Sequence, residues 1–276
     1  MRSWHKLEIE YAERLRDSSR DERRQLYAEA YSAVSEGWMA TLPEEPEKRT
    51  AGTSPSLVKS LIRLSSSSDR VLEVGCGRGY TYLKLAPHVA SLVGLDVSDL
   101  VLNEARKLLE ANQVGNVTIL KGSADDLTRY FDEETFDKVI SIDVYEHLHP
   151  EDAIAHLSEV YSVLKPKGRF IVITPNRLTG PHDITRDLFP DARQPLGFHL
   201  SEITCSELVR QMRKVGFVKF RSVMPISFKV PVPFDIIYPS VLFIWSEKLF
   251  PRVRRSSVLG RLTTMISGIF LIAEKS

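Results

Sequence analysis

Val71-Leu-Glu-Val-Gly-Cys-Gly-Arg-Gly79 reads as a buried strand that runs straight into a glycine-rich turn, with a helical stretch beyond it. Glycines take positive φ and allow close backbone approach, so such a turn can wrap a ligand at the carboxyl edge of a sheet. Spacing narrows the ligand class. The dinucleotide fingerprint wants its third glycine where Tyr80 stands, and the chain carries G-x-G-x-G instead. Downstream, Val93-Gly-Leu-Asp-Val97 ends a second strand on Asp96, placed to accept hydrogen bonds from a ribose diol or to cap the following helix.

Outward from this pair, short apolar runs alternate with helical stretches. Strands are expected over 71–74, 92–95, 117–120, 138–142 and 169–174, with helices over 83–87, 100–111 and 153–164 between them. A helix over 202–215 closes at Gly216, and strands over 218–223 and 268–274 follow. This alternation predicts an α/β protein: a doubly wound, mostly parallel seven-stranded Rossmann-like sheet covered on both faces.

Residues 1–53 form an N-terminal helical segment, with Leu7, Tyr11 and Leu15 spaced by four, and stand as a candidate lid. Ser54 and Pro55 read as cap and first-turn residue of a helix running to Leu64, which opens a main domain over 54–276. Within it, residues 225–266 are apolar and punctuated by Pro225, Pro231, Pro233 and Pro239. They are expected to form an insertion at the sheet's edge that covers the acceptor.

Composition excludes several classes. The chain has 276 residues and a formal charge of +1, so no global field recruits nucleic acid or an anionic surface. Cys76 and Cys205 have no metal-type spacing, and the charged N-terminus lacks a secretory apolar run. A reducing, cytoplasmic setting follows. The apolar runs near the carboxyl end fall short of the roughly 20 residues that a spanning helix needs, which leaves peripheral membrane contact open.

Five blocks, 71–79, 93–97, 122–127, 136–148 and 164–176, occur in the order found in the class I S-adenosylmethionine-dependent methyltransferases, and the run from Arg70 to Phe220 resembles that family. The resemblance is to the ubiquinone-biosynthesis type and its small-molecule relatives. It implies S-adenosyl-L-methionine as cofactor, with Glu73, Gly75, Gly77 and Gly79 lining the methionine end. By the same resemblance Asp96 holds the ribose with Val97 beside it, Ala124 and Asp125 border the adenine, and Ile142 and Asp143 flank the cofactor. One position departs: Ser123 stands where the family often has an aspartate that reaches the adenine amino group, so a backbone carbonyl or Asp125 is expected to substitute.

Methyl transfer from a sulfonium is an in-line displacement, which needs alignment first and, for weak nucleophiles, deprotonation second. Asp143-Val-Tyr-Glu146-His147 follows the fourth strand, and in a helical turn positions i, i+3 and i+4 share a face. His199 is a fourth candidate member. A similar acid-x-x-Glu-His set with a distant histidine supports a divalent metal in the plant-type small-RNA 2′-O-methyltransferases. The residues leave two arrangements open: a metal on Asp143, Glu146, His147 and His199, or a metal-free site with His147 or His199 as general base beside Glu146. The metal-free one is favoured. Asn176, Arg177 and His182, on the loop after the fifth strand, are candidate acceptor contacts or plain surface polar groups.

The expected activity is O-methylation of a hydroxyl on a medium-sized, partly apolar metabolite: a natural product, sugar, quinone precursor or lipid. An RNA 2′-O-methyltransferase and a non-catalytic cofactor-binding partner subunit are the alternatives; the near-zero charge counts against RNA.

Overall fold

The computed structural model describes residues 2–40, 55–224, 236–253 and 268–276. Strands β1 (Arg70–Val74), β2 (Ser91–Asp96), β3 (Val117–Lys121), β4 (Phe136–Ile142) and β5 (Leu164–Pro175) lie parallel in the order β3-β2-β1-β4-β5. Beyond β5 the sheet continues through β8 (Gly268–Lys275), antiparallel to both its neighbours, then β6 (Phe217–Met224). The seven expected strands are all present. An eighth, β7 (Ile236–Pro239), pairs antiparallel with β6 and forms the edge. It comes from the stretch expected as an insertion, the rest of which lies largely outside the described residues.

Both faces of the central strands are buried, and alternation sorts their side chains. Leu72, Val139, Phe170 and Val172 join the core under α6 (Pro150–Val163) and α8 (Cys205–Val215). Val71, Ile140 and Ile171 join the core under α3 (Pro55–Leu64), α4 (Tyr80–Leu85) and α5 (Asp99–Ala111).

Helix α8 begins three residues later than its periodicity predicts. Thr204 is its N-cap: the Thr204 hydroxyl accepts from the Glu207 amide while the Glu207 side chain accepts from the Thr204 amide. Residues 202–204 are thereby left outside the helix, next to the site described below.

The N-terminal segment folds as an antiparallel pair, α1 (Ser3–Asp17) and α2 (Arg20–Met39). Their attachment is ionic as well as apolar. Arg23, 2% exposed, donates from Nε to Asp152 of α6 at 2.7 Å, and Asp152 is itself 1% exposed. The Tyr27 hydroxyl donates to the same carboxylate at 2.9 Å and accepts from the His149 amide at 2.7 Å.

Helix α7 (Thr185–Leu188) is a single turn, and α9 (Ser240–Val253) follows β7. Glu247 of α9 anchors that helix to the main domain: its carboxylate accepts from the amides of Cys205 and Ser206 at 2.7 and 3.0 Å, and from Asn176 Nδ2 at 2.8 Å. Among the described residues no helix is long and apolar enough to cross a membrane.

Candidate functional site

At the carboxyl end of β1 the Gly75 amide donates to the Leu95 carbonyl at 2.7 Å, turning the chain back over β2. Gly75 has φ +71°, and a Cβ there would sit 2.2 Å from Val144 Cγ2, so only glycine lets the turn pass beneath the loop after β4. Gly77, at φ +51°, donates its amide to Asp96 Oδ2 at 2.9 Å, while Oδ1 accepts from Ser98 at 3.0 Å. Burial raises the Asp96 pKa even against these hydrogen bonds. Asp96 is thus a pre-set acceptor at a strand end.

Around it opens a cavity. Gly75, Asp96 and Val97 form one wall, Gly122, Ser123 and Ala124 the next, and Asp143, Val144 and His147 a third. Tyr27 and Tyr31 of α2 form a further wall. The Tyr31 hydroxyl is buried without a hydrogen-bond partner among the described residues, and its ring packs edge-on to His147 with centroids 5.7 Å apart. Neither tyrosine was singled out in the sequence. The available signal was their i, i+4 spacing, which places both on one helix face.

Five of the ten residues expected at the cofactor line this cavity: Gly75, Asp96, Val97, Ala124 and Asp143. Glu73, Gly77, Gly79, Asp125 and Ile142 stand outside the lining. Gly77 supports Asp96. Glu73 is buried, which pushes its pKa up to about 8. Ile142 pairs with Ile173 and packs into the core. Asp125 is the clearest departure, because its carboxylate turns away. It accepts from Ser123 Oγ and faces Arg20 and Arg24 of α2, each at 3.6 Å.

The acid–histidine stretch leaves β4 through Asp143, which adopts φ +51°, and makes one tight turn over Tyr145–His147. Glu146 is buried and accepts from Thr174 Oγ1 at 2.9 Å. Burial, reinforced by the Asp143 charge, pushes it up to about 8. His147 points Nδ1 at the Phe198 carbonyl, 3.3 Å away, and burial with the nearby His199 holds its pKa down to about 3.

His199 stacks edge-on to His147 with centroids 4.8 Å apart, and its Nδ1 meets Glu202 Oε1 at 2.7 Å. Burial opposes its charge, but the Glu202 hydrogen bond and the Glu146 charge outweigh it and raise the His199 pKa. Burial likewise opposes charge on Glu202, yet hydrogen bonds from His182 and His199 bring its pKa down to about 2. Glu202 was also missed in the sequence; it stands three residues past His199 in what read as the start of α8. Glu8 of α1 steadies the same loop by accepting from the Phe198 amide at 3.2 Å.

The structure brings Glu146, His147 and His199 together, with one potential donor atom of each within 4.8 Å of the others. Asp143 faces the cavity beside them. The loop after β5 is different. Asn176 is buried and bonded to Glu247, Arg177 pairs with Glu207 at 2.6 Å, and His182 Nε2 meets Thr179 Oγ1 at 2.9 Å. Asn176 and Arg177 tie the loop to the scaffold through these pairings, and His182 Nδ1 lies 3.4 Å from Glu202 Oε1.

Residues 71–168 match the family described as methyltransferase domain. A fatty-acid O-methyltransferase of Mycolicibacterium smegmatis is 28% identical over 200 residues, 71% of this chain and 64% of that protein. A phthiotriol/phenolphthiotriol dimycocerosates methyltransferase of Mycobacterium leprae is 35% identical over 112 residues, 40% of this chain and 39% of that protein. The chain spans about half the length, 51%, of one Mycolicibacterium smegmatis relative and 36–66% of others. Among solved structures, the YcgJ protein of Bacillus subtilis has a TM-score of 0.54 at 21% identity, covering 79% of this chain and 97% of that one. The [4+2]-cyclase SpnF has a TM-score of 0.61 at 16% identity, covering 91% and 96%. These likenesses establish the fold, and the family match adds the glycine turn, Asp96 and the acid–histidine stretch within one domain. The chain therefore carries a class I S-adenosylmethionine-dependent methyltransferase domain, with S-adenosyl-L-methionine as its cofactor.

Proposed function

We propose that the protein methylates an oxygen, most simply a hydroxyl, on a medium-sized and partly apolar small molecule such as a lipid or quinone precursor. Two relatives whose names specify oxygen, the fatty-acid O-methyltransferase and a malonyl-[acyl-carrier protein] O-methyltransferase, support the atom. The observation that carries the mechanism is the Glu202–His199 pair beside Asp143 and Glu146. A general base works best when its pKa lies near the working pH. His199, held up by Glu202, meets that condition; His147, held near 3, does not.

Asp96 accepts from the cofactor ribose, and Ser123 and Ala124 border the adenine. Tyr27 and Tyr31 close over the cofactor from α2, which makes residues 1–53 the lid. Residues 225–266 shield the acceptor; none of their described residues lines the cofactor cavity. In the transfer, the acceptor oxygen attacks the sulfonium methyl carbon, the carbon–sulfur bond breaks, and His199 takes the hydroxyl proton.

The test is transfer of a labelled methyl group to a panel of hydroxylated acyl and aromatic acceptors. Labelled ether or ester product is expected, with His199→Ala reducing kcat by roughly 10²–10⁴-fold. Label found only on nitrogen, carbon or RNA would refute the acceptor class, and an unimpaired His199→Ala would refute the base.

A second reading rests on the close approach of Glu146, His147 and His199. Both histidines hold Nδ1 on a protein acceptor, which leaves Nε2 for a divalent ion. Such an ion would lower the acceptor hydroxyl's pKa. Full activity in chelator is the expected result and separates the two readings.

A further inference from the structure

Helix α9 turns an apolar face to solvent. Val241, Leu242, Trp245 and Leu249 are 54%, 58%, 65% and 51% exposed, at spacings i, i+1, i+4 and i+8 that make one stripe. The opposite face is held firmly, with Phe243 in the core and Glu247 capping the start of α8. Between Ile236 and Arg261 the sequence carries Lys248, Arg252, Arg254, Arg255 and Arg261 against the single acid Glu247, which is turned inward. Lys248 is exposed beside the stripe.

We infer that this face of α9 docks on an anionic lipid surface. Trp, Leu and Val beside lysine and arginine are the composition of a helix that lies in a membrane interface, where apolar side chains enter the acyl boundary and cations meet headgroups. A second copy of the chain fits less well, because a two-fold contact through this stripe sets like charges against each other. The placement has a use. Glu247 ties α9 to Asn176, just past the carboxyl end of β5, so a docked helix sets the edge of the sheet that holds the cofactor cavity close to the bilayer. This goes beyond the acceptor reading and stands on separate observations.

The experiment uses the full chain and sedimentation with vesicles of phosphatidylcholine containing phosphatidylglycerol. Wild type is expected to sediment with these, and less with pure phosphatidylcholine or in high salt. Leu242→Asp with Trp245→Asp should lower the bound fraction about tenfold or more, and Lys248→Glu by a smaller factor. Both variants should keep wild-type cofactor affinity, since none of the three residues lines the cofactor cavity. Trp245→Phe should still bind but lose quenching by brominated lipid. Wild type remaining in the supernatant, or the double Asp variant sedimenting unchanged, would overturn the inference. So would a wild-type dimer that the double variant converts to monomer, or brominated-lipid quenching that survives Trp245→Phe. Failed vesicle binding in an enzyme that methylates soluble hydroxyls counts against this surface alone; vesicle binding without oxygen methylation counts against the acceptor reading alone.

Discussion

Asp96 concentrates two demands on one carboxylate. It organises the turn by accepting from Gly77 and Ser98, and it presents oxygen to the cavity. Asp96→Ala should weaken calorimetric binding of S-adenosylmethionine by about 10–100-fold, the worth of one or two charge-assisted hydrogen bonds, with the circular dichroism unchanged. Glu202 offers a sharper test of chemistry. Replacing it with Gln removes the negative partner that raises the His199 pKa. His199 then loses its proton at lower pH, so the acidic limb of the kcat–pH profile should move to lower pH. The plateau should fall by about tenfold, because the imidazole loses its orienting acceptor, while KM changes little. A profile that keeps its shape would assign Glu202 a purely structural part. These two residues differ in how visible they are in sequence. Asp96 announces itself because a strand end 19 residues past Gly77 of the glycine turn has few other reasons for an aspartate. Glu202 sits in a stretch whose periodicity reads as helix, and only the Thr204 cap reveals that it lies outside.

Among the elements, α2 departs furthest from its appearance. Arg20-Asp-Glu-Arg-Arg24 has the composition of a solvated helix, yet Arg23 is as buried as a core leucine. A buried arginine and an exposed one are the same letter, and the partner that permits burial lies 129 residues away. Asn176 misleads in the opposite sense. It looks like a loop contact for substrate, and its partner Glu247, 71 residues on, makes it part of the frame. Patterns within an element are legible because neighbours in sequence set them; pairings between elements are not. The ionic attachment of α2 predicts its own failure. Asp152→Asn leaves the buried Arg23 guanidinium with only the exposed Glu151 as counter-charge, which should cost about 1–3 kcal/mol. Hydrogen exchange over residues 20–39 should quicken, and cofactor affinity should fall with it, since Tyr27 and Tyr31 line the cavity from this helix.

For the whole molecule, the buried acids govern the response to pH. Burial pushes Glu73 and Glu146 up to about 8 and Glu8 to about 7, from an ordinary value of 4.5. Between 4.5 and 8 the folded state therefore holds more protons than the unfolded chain, and stability falls as pH rises through that window. His147 and His156, held down to about 3 and 4, act oppositely, but only below their ordinary 6.5. Above 6.5 the carboxylates act unopposed, and the raised His199 adds to the same trend because its stabilising charge is lost there. From pH 6.5 to 8.5 the cofactor-free protein should lose on the order of 4 kcal/mol, or about 10 °C in Tm. Glu73→Gln should flatten that slope; a Tm that rises with pH would contradict the assignment.

The same scale gives the eighth strand its significance. An open sheet of this width ends in two rims of unpaired backbone, which invite strand-by-strand growth into polymers. Among the described residues those rims are β3, five residues long, and β7, only four and ending in Pro239, which has no amide hydrogen to offer. An incoming strand at β7 would find about one or two outward amides before the chain turns up into α9. Had the sheet stopped at β6, its rim would have been eight residues long, mostly apolar, with Lys219 and Arg221 the charged side chains. The short added strand acts as a selvedge, the finished edge that keeps a woven sheet from being extended.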